Sequence, residues 1–86
     1  MQLRYRDLIR RLAEEFPEAP PNYWPQTLTR WKATLGIRQP RPGWYDQEDL
    51  VGLLALGEAY RRHQLRGRDA VEYTMRKVKE WKENGN

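Results

Sequence analysis

Basic side chains and aromatic rings alternate between Asn22 and Leu50, where the chain reads NYWPQTLTRWKATLGIRQPRPGWYDQEDL. Arg30, Lys32, Arg38 and Arg41 lie there among Tyr23, Trp24, Trp31, Trp44 and Tyr45. No acidic residue occurs from Ala19 to Tyr45, although acids are common on both sides. Guanidinium and ammonium groups bind phosphate oxygens, and local carboxylates would compete for them. A basic, aromatic, acid-free span is the composition that a polyanion-binding surface needs.

Other chemistries find little to work with. His63 is the single histidine, and there is no cysteine to share a metal with it. Glu14 and Glu15, like Glu48 and Asp49, are sequence neighbours. Adjacent helical positions point about 100° apart, so neither pair faces one substrate. No glycine-rich phosphate loop of known spacing is present. The expectation is a binding protein rather than an enzyme, with no metal and no cofactor.

The elements that position these residues belong to one small domain. At 86 residues the chain is near the lower end of what a single apolar core can support. Without cysteine no disulfide reinforces it, so four Trp, five Tyr and one Phe must supply much of the core. The formal charge is +4, which suits an anionic partner, although its distribution matters more than its sum. No run is long enough to span a membrane, and the first residues lack a signal peptide's apolar stretch, so the expected location is the cytoplasm.

Periodicity predicts four helices. Tyr5, Leu8, Ile9, Leu12 and Phe16 form an apolar stripe over a helix from Leu3 to Phe16, which Pro17, Pro20 and Pro21 end. A second helix opens with Pro25 at its first position, buries Leu28, Trp31 and Leu35, and stops at Gly36. Pro40, Pro42 and Gly43 break the next segment into a short hairpin or wing ending near Tyr45. Asp46 caps a third helix whose face carries Leu50, Leu53, Leu54, Gly57 and Tyr60, with Val51 and Leu56 beside it. Gly57 within that helix implies a tight contact. After a basic turn from His63 to Arg68, a last helix to about Trp81 points Val71, Met75, Val78 and Trp81 inward. The domain thus covers residues 1–86 with a core from about 3 to 81, and the tail 82–86 is expected to fray.

The segments resemble the DNA-binding domain of MerR-type winged-helix regulators over about Asn22 to Trp81. TLTRW at Thr27–Trp31 is similar to that family's recognition helix, a threonine–leucine–arginine run followed by an aromatic pair. LGI at Leu35–Ile37 is similar to its helix exit, and GWYDQEDL at Gly43–Leu50 to its wing-to-helix junction. Departures are visible. Thr29 stands where the family's arginine usually falls and Arg30 takes the next place, while Gly43 and Trp44 occupy the usual wing arginine positions. The resemblance implies a mostly α, winged helix-turn-helix fold of about four helices with a short β-hairpin wing. It implies a DNA-binding module without the family's long dimerising helix or effector domain, as in short members and the related excisionases.

The expected partner is double-stranded DNA. The second helix would enter the major groove through Gln26, Thr27, Thr29, Arg30 and Lys32, since early recognition-helix residues reach base edges. The alternative for Thr27 is to satisfy helix-end N–H groups, and Trp31 belongs to the core stripe. Arg38, Arg41, Trp44 and Tyr45 form the wing, where one aromatic packs on the helices and the other lies against a sugar–phosphate. Arg62, Arg66 and Arg68, with Arg61, are either a solvated helix end or a second phosphate clamp. The resemblance favours the clamp.

The output expected is transcriptional regulation in a prokaryote or mobile element. An excisionase-like architectural factor is the alternative within DNA binding, and a protein-interaction adaptor using the aromatic, Pro-rich segment is the alternative outside it. With the last helix's stripe consumed by the core, the free protein should be a monomer, or at most a weak dimer, with several copies gathering on DNA, side by side or alongside a partner protein.

Overall fold

The computed structural model describes residues 2–20, 22–38 and 43–85. The chain runs β1 (Gln2–Arg4), α1 (Tyr5–Glu15), α2 (Trp24–Leu35), β2 (Trp44–Asp46), α3 (Gln47–Arg61) and α4 (Gly67–Glu83). It is mostly helical, with four helices and one two-stranded antiparallel sheet, an architecture compatible with a small winged-helix domain.

The first strand replaces the start of the expected first helix. Leu3 pairs with Tyr45, Gln2 with Asp46 and Arg4 with Trp44. Alternation explains the change. Leu3 turns its side chain toward the buried Tyr45 while Gln2 and Arg4 stay outside, a period of two that a helix cannot provide. The amide of Tyr5 donates to the carbonyl of Gly43 at 3.0 Å and ties the start of α1 to this sheet. The wing region therefore contributes β2, and its strand partner is the distant N-terminal segment. Residues 39–42, with Arg41 among them, lie outside the described residues.

Along α1, Leu8, Leu12 and Phe16 are buried as the spacing requires, and Ile9 is half-buried. Tyr5 is exposed instead, because it opens the helix beyond the edge of the core. In α2 the buried set is Trp24, Thr27, Leu28 and Trp31, an i, i+3, i+4, i+7 stripe. Trp24 stands edge-on to Trp31 with ring centroids 5.6 Å apart. Its indole N–H is buried without a hydrogen-bond partner among the described residues. Gly36, at φ +66°, closes α2 in the left-handed conformation expected of it.

At the head of α3, Asp46 accepts from the Asp49 amide at 2.8 Å, and the Asp49 carboxylate accepts from the Asp46 amide at 3.2 Å. This reciprocal cap resembles the Ser/Thr–Glu capping box and suits the positive end of the helix dipole. Leu50, Leu53 and Leu56 are buried, and α3 forms the centre of the core. Gly57 meets aromatic rings rather than a neighbouring helix backbone. A Cβ there would lie 2.6 Å from one ring carbon of Phe16 and 3.1 Å from the Trp31 ring.

The last helix is rotated from the expected orientation. Ala70, Tyr73 and Thr74 are its buried residues, whereas Met75 is 63% exposed and Val71, Val78 and Trp81 are only half-buried. Small Ala70 and Thr74 allow α4 to lie close to α3, and the Thr74 hydroxyl is satisfied by the Ala70 carbonyl at 2.9 Å. Hydropathy alone overlooked this face because two of its members are small or polar. The expectation that the apolar stripe of α4 is consumed by the core is thereby corrected. The helix continues through Lys82 to Glu83, so the expected tail begins later.

Candidate nucleic-acid interface

The exposed face of α2 carries Gln26, Thr29 and Arg30 together. Helical spacing explains it, since these positions lie opposite the stripe of Trp24, Leu28 and Trp31. The exposed Thr29 donates its hydroxyl back to the Pro25 carbonyl at 3.2 Å. Arg30 reaches Thr27 only at 3.5 Å, the outer limit of a hydrogen bond, so its guanidinium retains most of its capacity.

Thr27 itself belongs to the core, at 1% exposure, and reads no base from this position. It falls on the same stripe as Trp24 and Leu28, which the shorter stripe read from Leu28 onward did not include. Tyr45 is likewise buried, at 2% exposure, because strand alternation turns it inward against Leu3. Trp44 is therefore the more outward of the wing's aromatic pair. It is half-buried, and the Arg4 guanidinium lies 5.2 Å from its ring centre. Lys32 is half-buried too, with its ammonium 5.3 Å from the Tyr45 ring. Arg38 is exposed just beyond Gly36, and Arg41 falls outside the described residues.

A cleft of about 480 Å³ joins α2 to the turn between α3 and α4, lined by Tyr23, Arg30, Tyr60, Arg61, Arg66 and Gly67. Three guanidiniums thus share one cavity. Each of the two on the turn side is positioned by an aromatic face and oxygen acceptors. Arg66 donates to the carbonyls of Tyr60 and Leu65 at 3.0 and 2.7 Å and lies 5.4 Å over the Tyr60 ring. Arg61 donates to Glu18 at 2.9 Å and lies 5.2 Å over the Tyr23 ring. Glu18 is held below the usual carboxylate range by a backbone hydrogen bond and then by Arg61. Arg61 is in turn pushed up, chiefly by its bond to Glu18.

Helix ends add to the positive character of this cleft. Among the described residues only α3 carries a side-chain N-cap; of the three helices without one, α2 has cleft residue Tyr23 at its N-cap and α4 begins at cleft residue Gly67. Uncapped first-turn N–H groups point outward and favour an anion. The first turn of α2 contains no acid, while Asp69 in the first turn of α4 offsets part of that helix's dipole.

Arg62 has another role. It pairs with Glu15 at 3.2 Å and Glu58 at 3.6 Å, donates to the Glu15 carbonyl, and lies 5.3 Å over Phe16. That arrangement ties the end of α3 to the end of α1 rather than offering a charge to a ligand. Arg68 is exposed in the first turn of α4. Arg30 and Arg66 are therefore brought together, Arg68 is nearby in sequence, and Lys32 and Trp44 belong to the sheet side.

Tyr23, Tyr60 and Gly67 were not anticipated as site residues, whereas Arg61 stood with Arg62, Arg66 and Arg68 as a candidate clamp. The available signal was the missing Ser, Thr, Asp or Asn before Gly67, which marks an open helix end. Among the described residues no group of His, Cys, Asp and Glu could hold a metal, and no helix is long and apolar enough to cross a membrane. No protein-family model, curated protein or solved structure matches this chain.

Proposed function

We propose that the protein binds double-stranded DNA, with α2 in the major groove and the arginine cleft on the adjoining phosphates. The observation that carries this reading is the convergence of Arg30, Arg61 and Arg66 on one cleft beside the exposed Gln26–Thr29–Arg30 face. Phosphate contacts set register and affinity, whereas residues early in an exposed helix read base edges. Gln26 has the two-pronged amide that suits adenine, and Arg30 the fork that suits guanine. The MerR-like order of segments extends the proposal to a sequence-specific, cytoplasmic transcriptional regulator.

The test is duplex binding across a salt series. With Arg30 on a base edge and Arg61 held by Glu18, Arg38, Arg66 and Arg68 supply the phosphate-facing charges, so log K should fall against log salt with a slope of roughly −3. Arg66→Ala should weaken all duplexes similarly and reduce the slope by about 1. An affinity that stays flat from low to physiological salt would contradict the proposal.

A further inference from the structure

A single carboxylate reaches into the arginine set of the basic cleft. Glu18 is the last acid before the acid-free span that begins at Ala19. It stands in the link after α1, where the Ala19 amide donates to the carbonyl of buried Phe16 at 3.1 Å. From there it accepts from Nε of Arg61 at 2.9 Å, across 43 positions of sequence. Arg61 lines the cleft, and its guanidinium lies over the ring of Tyr23, another lining residue. The pair is open to solvent, with 26% of the Arg61 side chain and 55% of the Glu18 side chain exposed. The flanking arginines are held differently. Arg62 meets both Glu15 and Glu58 and ties helix ends together. Arg66 meets carbonyl oxygens, and no ion pair offsets its charge among the described residues.

We propose that Arg61 is a phosphate site of this cleft, and that the Glu18 carboxylate occupies it as an internal substitute for the ligand. A guanidinium takes carboxylate and phosphate oxygens through the same planar fork. A phosphodiester arriving at Arg61 therefore competes with a group already in place and is repelled by its charge. The carboxylate is tethered in the same chain, so its effective concentration at Arg61 is high. Exposed ion pairs contribute little to stability, so the fold does not need this one. Its effect falls on the cleft instead. Glu18 cancels one of three guanidinium charges and removes one contact from the grip on a polyanion. That a duplex phosphodiester is the ligand rests on the DNA-binding reading; the exchange of carboxylate for phosphate at Arg61 does not.

Glu18→Gln in the full chain tests it, because this change keeps the side chain's size and removes its charge. Duplex affinity should rise roughly threefold to tenfold at about 0.1 M salt, and the slope of log K against log salt should steepen by about 0.9, one further phosphate contact. Glu14→Gln, at an exposed position of α1, alters the net charge equally and should leave the slope unchanged. Adding Arg61→Gln to Glu18→Gln should cancel the steepening. An unchanged slope in Glu18→Gln, or equal steepening in Glu14→Gln, overturns the proposal. A second arm without DNA titrates inorganic pyrophosphate and follows the arginine Nε–H resonances by NMR. The wild-type chain should show a shift at Arg66 and none at Arg61, whereas Glu18→Gln should show both. If no variant binds duplex, the DNA-binding reading falls and this arm decides. A pyrophosphate shift at Arg61 that appears only with Glu18→Gln upholds the site, and its absence from that variant overturns it.

Discussion

The two ends of the α3–α4 pair face different chemistry. At the turn end, the finish of α3 and the uncapped start of α4 surround a cleft with Arg30, Arg61 and Arg66. At the other end, the carboxylate-capped start of α3 and the later turns of α4 border an apolar groove. The same helices lie antiparallel over one core, so the contrast comes from how each helix end is finished. The Asp46 carboxylate accepts the Asp49 amide, and the carboxylates of Asp46, Glu48 and Asp49 oppose an anion there. Before Gly67 no side chain caps the helix, and arginines gather instead. The two ends thus differ in finish: α3 starts with a side-chain cap and two first-turn acids, α4 with no side-chain cap and Asp69 alone.

The largest effect should come from the support beneath the basic end. Phe16 is buried under Arg62 and against Gly57. Phe16→Ala should cost about 3–5 kcal/mol in denaturant unfolding, whereas Met75→Ala at the groove end should stay within about 0.5 kcal/mol. Equal losses at the two positions would remove the contrast. Next in size, Gly57→Ala forces its methyl into the Phe16 ring and should cost about 1–3 kcal/mol. A neutral or stabilising result, as ordinary helix propensity would give, would show that the rings can move aside.

A smaller effect concerns pH. The Tyr73 hydroxyl donates to Glu58, the carboxylate that also pairs with Arg62. Burial, and then this bond, pushes the Tyr73 phenol up to about 12. The fold therefore favours the neutral phenol. Its contribution is complete below the ordinary value of 10.0 and is lost as pH rises through about 12. Tyr73→Phe should cost about 1–2 kcal/mol at neutral pH and should flatten the alkaline loss of stability. An unchanged alkaline limb in chemical denaturation at a series of pH values would assign that loss to other groups.

Helices with strong apolar periodicity were legible from sequence, as were their stops. Leu8 and Leu12, the Asp46 cap, Gly36 and the core role of Trp31 follow from spacing and end chemistry alone. The strand at Gln2–Arg4 was not legible, because three residues give no period and their partner lies far along the chain. The face of α4 was misread because Ala70, Tyr73 and Thr74 are less hydrophobic than Val71, Met75 and Val78. Close helix packing selected the small residues over the greasy ones. Among the site residues, the exposure of Gln26, Thr29 and Arg30 follows from the opposite α2 stripe. Which arginines converge depends on the turn between α3 and α4, where Gln64 takes a left-handed φ of 59° that no local motif announces.

The sheet has a kinetic consequence. Its two strands enclose an intervening loop of about 40 residues, whose closure costs roughly 3 kcal/mol of chain entropy. Only three residue pairs hold the strands together. Such a sheet is expected to form only after the helices have brought its ends within reach. In reverse, it is expected to open before the helical core does. Amide exchange at Leu3 and Tyr45 should then be faster than in the middle of α3. The base of the wing is in this sense a late and reversible closure, set by the helical core behind it.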